Sequence, residues 1–194
     1  MATSHPSTSI EAREEVGRSI CTLTYKPLDV GEITQSVSDD GAGATAIFIG
    51  TTRNSYKGSR SCKCTGFISS LDIHGLIPTG KVVTRLEYQA YSKLAIKTMT
   101  DIIRTVHQSV TRSAHHPTLA AVSPIISCAL HHRLGTVPVG EPSIVIAVSS
   151  PHRKEAFVAC EQILEEVKQK VQIWKREYYE GEREEDAEWK ANSG

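Results

Sequence analysis

The amino-acid pattern predicts an α+β domain. Strand-like runs alternate irregularly with two long helical stripes, an order that does not fit a regular parallel sheet. Two of the runs, Ala44–Gly50 and Ser143–Ser149, are short, nearly all apolar and rich in strand formers, as buried strands are. The 194 residues are 39% hydrophobic and 23% charged. That is the composition of one globular domain able to bury ~70% of its unfolded surface.

Along the chain, residues 1–18 read as a disordered leader. They are Ser/Thr-rich but carry Glu11, Glu14 and Glu15, unlike acid-poor transit peptides. Order begins near Ser19, where Ser19–Tyr25 alternates Ile20, Thr22 and Thr24 against Cys21, Leu23 and Tyr25, a strand pattern. Asp29 caps a short helix reaching Val37, with Glu32 at capping-box spacing. Asp39–Gly43 is a turn, and the strand Ala44–Gly50 ends in the polar loop Thr51–Arg60. The glycine-rich stretch near 56–80 reads as an insertion, after which Lys81–Tyr88 resumes as a strand. Ser92–Gln108 places Leu94, Ile96, Met99, Ile102, Ile103 and Val106 on one helical stripe. A connection broken by Pro117 and Pro124 leads to the strand Ile125–His132, a turn region Leu134–Pro142, and the strand Ser143–Ser149. Ser150-Pro151 then opens a helix with Ser as cap and Pro in the first position. Its stripe is Ala156, Phe157, Cys160, Ile163, Leu164, Val167 and Val171. The pattern breaks over Gln172–Lys175. Glu177–Lys190 is rich in acids and reads as an exposed tail or a loosely attached helix, with 181–194 as an acidic C-terminal tail.

Charge and cysteine usage narrow the function classes. Lys+Arg and Asp+Glu both number 22, so the formal net charge is zero. That argues against a general nucleic-acid binder, which needs surplus cations for phosphates. The five cysteines are odd in number and no secretory core opens the chain, which fits free thiols in a reducing, cytosolic compartment. No run approaches the ~20 apolar residues of a membrane span.

The densest chemistry lies in His152–Glu177. His152 and Arg153 stand at a helix start, Lys168 near its end, and Lys175, Arg176 and Glu177 beyond it. Arg153 and Lys168 lie ~22 Å apart along the axis at 1.5 Å per residue. One ligand meets both only if it is elongated or if a second subunit folds in. A chain reversal after Lys168 would bring Lys168 and Lys175 into one pocket, where two ammonium groups favour a neutral amine. The competing interpretation pairs Lys168 with Glu165 as a solvated helix pair. Arg53 follows a strand in Gly50-Thr-Thr-Arg-Asn54, a sensible anion site or simply a loop arginine. His131 and His132 are adjacent on a strand and point to opposite faces, so they do not share a metal ion. Cys62, Cys64 and His74 offer a zinc alternative, with an unusual one-residue cysteine spacing and no evident fourth ligand.

Five segments in order carry a family resemblance: Phe48-Ile-Gly-Thr-Thr-Arg-Asn54, Leu86-Glu-Tyr-Gln-Ala-Tyr91, His132-Arg-Leu-Gly135, Ser149-Ser-Pro-His-Arg-Lys-Glu-Ala-Phe157 and Ile173-Trp-Lys-Arg-Glu177. The sequence resembles the large, catalytic subunit of molybdopterin synthase over roughly residues 19–180. The resemblance implies an α/β hammerhead-like fold with a mixed or antiparallel sheet. It implies sulfur transfer from the C-terminal Gly-Gly thiocarboxylate of a small ubiquitin-like partner to cyclic pyranopterin monophosphate, forming the molybdopterin dithiolene. It further implies a heterotetramer around a central homodimer, with no cofactor, metal, nucleic acid or membrane. A non-catalytic partner-binding scaffold of the same fold is the alternative.

By motif, Lys168 and Lys175 match the family's pocket lysines. His152 and Arg153 match its substrate-binding pair, and Arg53 its anion-binding arginine. Arg176 and Glu177 match its substrate-contacting stretch. The resemblance gives Lys175 the principal acid/base role and lets Lys168 hold the thiocarboxylate or intermediate. Cys160 reads as core, since the partner brings the sulfur. The sequence departs from the pattern in its long 56–80 and 110–124 segments, in Thr52 where an aliphatic residue is usual, and in Gln172 where Pro is common.

Overall fold

The computed structural model describes residues 9–54, 81–109 and 124–192. The elements are β1 (Ala12–Val16), β2 (Ser19–Thr24), α1 (Val30–Gln35), β3 (Ala44–Thr51), β4 (Val83–Ala90), α2 (Ser92–Ser109), β5 (Ser127–Arg133), β6 (Gly135–Pro138), β7 (Pro142–Ser150), α3 (Arg153–Lys170), β8 (Ile173–Tyr179) and β9 (Lys190–Ala191), with a 3₁₀ turn at Glu184–Asp186. The sequence-predicted insertion with Cys62, Cys64 and His74, most of the 110–124 connection, and residues 1–8 lie outside the described residues.

The α+β class holds, in two sheets. One is ordered β1-β2-β5-β7-β3, with β2 and β5 parallel and the other neighbours antiparallel. The other is β6-β4-β8-β9, antiparallel throughout. Strand β7 is buried on both faces because helices cover both. Ile146 and Val148 join the main core with Met99 and Ile103 of α2 and Ile163 of α3. Val145 and Ala147 meet Leu28, Ile33 and Val37 around α1 on the other side. Each fully buried side chain such as Leu130 or Ile146 stabilises the fold by ~1.5–3 kcal/mol. Asp29 caps α1 as its spacing predicts, its carboxylate accepting the Glu32 N–H at 2.9 Å.

Several expectations need correction. Residues 9–18 are not leader: β1 pairs with β2, and Ala12 and Val16 pack on the core while the intervening acids face solvent. Two apolar positions in five are too few to mark a strand before its partner is known. Strand β3 is not buried but forms the sheet edge, with Ile47 and Ile49 more than two-fifths exposed. The Leu134–Pro142 turn region contains β6. Glu177 belongs to β8, and the acidic end returns through β9 rather than trailing as a solvated tail. Helix α3 starts at Arg153, with His152 in the capping position. Ser150 instead accepts the His152 N–H at 3.2 Å and donates to the Pro124 carbonyl at 2.6 Å. Leu94 and Phe157, expected on inward stripes, are exposed, while Glu155 is buried at the start of α3.

Candidate active site

Strand alternation divides the Ile173–Glu177 motif between two faces of β8. On the first face Lys175 stands between Tyr88 of β4 and Lys190 of β9 as cross-strand neighbours. Its Nζ lies 3.4 Å from Oε1 of Glu177, whose side chain is only 11% exposed. Glu177 also accepts a hydrogen bond from the Tyr179 hydroxyl. Burial pushes the Glu177 carboxyl up. The Tyr179 bond and the Lys175 and Lys190 charges outweigh that and hold it below the ordinary carboxylate range.

Beneath Lys175, the Tyr88 ring meets His132 edge-on at 5.0 Å. Burial raises the Tyr88 phenol above its ordinary value, a hydrogen bond with Ser143 opposing it. Burial pushes His132 down to about 4, so its ring is neutral at pH 7. Nδ1 of His132 donates to the Arg133 carbonyl at 2.8 Å, which leaves Nε2 as an acceptor toward Asn192 Nδ2 at 3.4 Å. The adjacent His131 points to the opposite face, as alternation requires. Its own value is lowered to about 4, by burial first and the Arg13 charge second. Among the described residues no group of three or more metal-ligating side chains exists.

On the second face every charge is answered. Glu87 Oε2 accepts Arg176 Nε at 2.9 Å and the Tyr178 hydroxyl at 2.7 Å, and it lies 2.8 Å from Arg176 Nη2. The Arg176 guanidinium stacks 5.1 Å from the Tyr178 ring and 4.8 Å from the Trp189 ring. Arg85 lies 3.8 Å from the Tyr178 ring and pairs with Glu184 at 2.6 Å. Arg176 is thus separated from Lys175, although the two are adjacent in sequence.

The other candidate cations occupy two ends of the molecule. Arg53 follows β3 in a clamped loop. Thr52 donates its N–H to the Glu141 carbonyl and accepts one from Gly140, while Asn54 accepts from Val83. Buried Arg133 pairs with Glu141 and braces the same turn. Thr52, where an aliphatic residue is usual, is buried with no partner for Oγ1. At the far end, Ala44 is paired with Ser150 while Thr51 is paired with Pro142. Eight β3 residues at ~3.3 Å each therefore separate Arg53 from the His152-Arg153 corner by roughly 25 Å. Gly43 marks that corner: a Cβ there would lie 2.3 Å from the Pro151 carbonyl oxygen. Helix α3 packs back along β7 and β3, returning Lys168 toward the Arg53 end. Lys168 is 3.9 Å from Glu165, the solvated pair its spacing offered.

The structure therefore brings Lys175 and Glu177 together. It does not bring His152 and Arg153 to the lysines within one chain. Sequence reasoning missed Lys190 and Glu87. Lys190 carries no local signal, and Glu87 stands in the Leu86–Tyr91 motif without an assigned role, since both matter through strand pairing. Cys160 is a buried free thiol, as are Cys21 and Cys128. Burial raises Cys160 to about 11, consistent with core packing rather than nucleophilic chemistry.

The chain is similar to known proteins over most of its length. The family described as "MoaE protein" matches residues 23–170. Molybdopterin synthase catalytic subunit 2 of Aedes aegypti is 38% identical over 170 residues, spanning 88% of this chain and 87% of that protein. The molybdopterin synthase catalytic subunit of Taeniopygia guttata is 36% identical over 183 residues, spanning 94% of each. The X-ray structure of molybdopterin synthase from Staphylococcus aureus has a similar fold, with TM-score 0.63 and 24% identity over 87% of this chain and 94% of that one. So does a chain in the complex of subunits 1 and 2 of molybdopterin-converting factor from Helicobacter pylori 26695, with TM-score 0.53 and 17% identity over 84% and 87%. With a match over most of its length and relatives above one-third identity, the chain belongs to the MoaE family.

Proposed function

We propose that this chain is the catalytic subunit of a molybdopterin synthase. In this reading it moves sulfur from the C-terminal thiocarboxylate of a small ubiquitin-like partner onto cyclic pyranopterin monophosphate, building the dithiolene. The observation that carries the reading is Lys175, seated on Tyr88 with its ammonium beside Glu177. The named relatives and the complex from Helicobacter pylori support the role and the partner class. The free thiols at Cys21, Cys128 and Cys160 accord with a reducing compartment such as the cytosol.

Each transfer forms one carbon–sulfur bond on the precursor and releases one oxygen from the same carbon. Hydrolysis of the acyl–sulfur bond returns the partner as a carboxylate, so two partner molecules serve one product with no net oxidation. The Lys175 ammonium protonates the departing oxygen, and the amine left behind takes a proton from the attacking water. Glu177 holds Lys175 in place. Lys168 draws in the anionic tail or intermediate. Arg53, His152 and Arg153 bind the phosphate and pterin. The separation between the Arg53 and His152-Arg153 ends supports a site completed by a second copy of the chain, with His152 and Arg153 supplied across a homodimer. Arg176 is engaged by Glu87, and we assign it to holding β8 in position.

Single-turnover conversion of the precursor, with thiocarboxylated partner, tests this. Wild type is expected to form dithiolene, and Lys175→Ala to lose it while still binding the partner. A wild-type chain that binds an active partner and makes no product would overturn the reading in favour of a partner-binding scaffold.

A further inference from the structure

The end of the chain is attached to the site strand at three separate points. Trp189 stacks on Arg176 at 4.8 Å on one face of β8. Lys190 is the cross-strand neighbour of Lys175 on the other face. Asn192 donates its backbone N–H to the Ile173 carbonyl at 3.1 Å, and its side-chain amide reaches buried His132. Trp189, Lys190 and Asn192 thus hold β9 in one register, and that register sets where the Lys190 ammonium lies.

Directly opposed residues of an antiparallel pair carry their Cβ atoms ~4.5–5.5 Å apart on the same face, and like charges there are destabilising. Lys190 opposite Lys175 is therefore a cost to the strand pair. Glu177 is the carboxylate that answers both: its ion pair is with Lys175, and the Lys190 charge also acts on it. Two ammonium groups against one carboxylate leave this face with one positive charge in excess. Tyr179 hydrogen-bonds Glu177 and brings no anion, and Lys81, 5.0 Å over its ring, is paired with Glu182 at 2.6 Å. Such a face is complementary to a single small anion.

We infer that Lys190 is an anion-binding residue of the Lys175 face, presented by the C-terminal strand, and that with Lys175 it grips one anionic group of the reacting molecules. The inference rests on the function proposed above. The anion has two sources with shared oxyanion chemistry: the phosphate of the precursor or the carboxyl end of the partner's tail.

The test titrates inorganic phosphate, and separately a peptide ending in Gly-Gly carboxylate, into the full chain as wild type, Lys190→Ala and Lys190→Arg. Lys190→Ala is expected to weaken one probe by about tenfold, and Lys190→Arg to stay within about twofold of wild type. The weakened probe identifies the source. In turnover, the same variant raises the concentration needed for half-maximal rate in that component alone, with the saturated rate kept within about threefold. Thermal unfolding of Lys190→Ala at or above the wild-type midpoint shows that the fold is intact. Equal binding of both probes by wild type and Lys190→Ala overturns the inference, whether or not the chain turns over. Failure of wild-type turnover with Lys190-dependent binding retained overturns the proposed reaction instead.

Discussion

The two faces of β8 carry the same kinds of residue and do different things with them. On one, Arg176 is answered twice by Glu87 and stacked between Tyr178 and Trp189. On the other, Lys175 is paired with Glu177, and Lys190 stands across the strand pair with its charge also acting on that carboxylate. The Arg176 face spends its charges on itself and fastens the C-terminal segment. The Lys175 face keeps a cation in reserve beside a buried phenol and a neutral histidine. A cluster of charges in sequence therefore says little until the strand assigns each residue to a face.

The largest expected effect separates the faces directly. Lys175→Ala should reduce single-turnover dithiolene formation by on the order of 10²–10⁴-fold, the range for a general acid/base, with unfolding midpoint nearly unchanged. Glu87→Ala should do the reverse. It leaves Arg176 and the Tyr178 hydroxyl without their acceptor and costs about 1–3 kcal/mol in denaturant unfolding. The purified variant's rate at saturating partner should stay within a few-fold of wild type. A Glu87→Ala chain as stable as wild type would break the comparison.

Acid sensitivity sharpens it. His132 titrates at about 4 when folded because burial disfavours its charge. An unfolded histidine titrates near its ordinary ~6.5, so between these values the unfolded chain binds more protons. Stability is therefore full above about pH 6.5 and falls as pH drops toward 4, by roughly 3 kcal/mol from this group. His132→Gln should flatten that stretch of a stability–pH profile measured by urea unfolding. Glu177 acts lower: its depressed carboxyl contributes stability above the unfolded carboxylate range, and that contribution is lost as pH falls through the folded value.

Smaller effects lie away from β8. Thr52→Val should stabilise by about 1 kcal/mol, since it removes a buried hydroxyl that has no partner. Glu165→Ala should shift stability by only ~0.2–0.5 kcal/mol, because its pair with Lys168 is exposed. A loss of turnover in Glu165→Ala as large as that in Lys175→Ala would place the working charges on α3 rather than β8.

Much of this molecule is readable without coordinates. Helix α2, the strand β7 and the Asp29 cap each declare themselves locally, by 3.6-residue periodicity, an apolar run rich in β-branched residues and a side chain three residues from the N–H it accepts. Chemistry-bearing motifs were legible for the same reason: Lys175-Arg-Glu177 and His152-Arg153 are contiguous. What β1, β6 and β9 lack is local contrast. They are short, and Ala12, Val137 and Ala191 become meaningful only when a neighbouring strand receives them. The same limit hid Lys190 and Glu87, whose roles depend on register with residues 15 and 89 positions away. Sequence alone thus determined the α+β class, the core helices and which cations are candidates for the site. Tertiary structure alone decided which cations stand free and which are answered. It also placed Arg53 and His152-Arg153 at opposite ends of β3. The physical reason is that hydrophobic periodicity is a short-range property of the chain, whereas charge compensation depends on cross-strand distance.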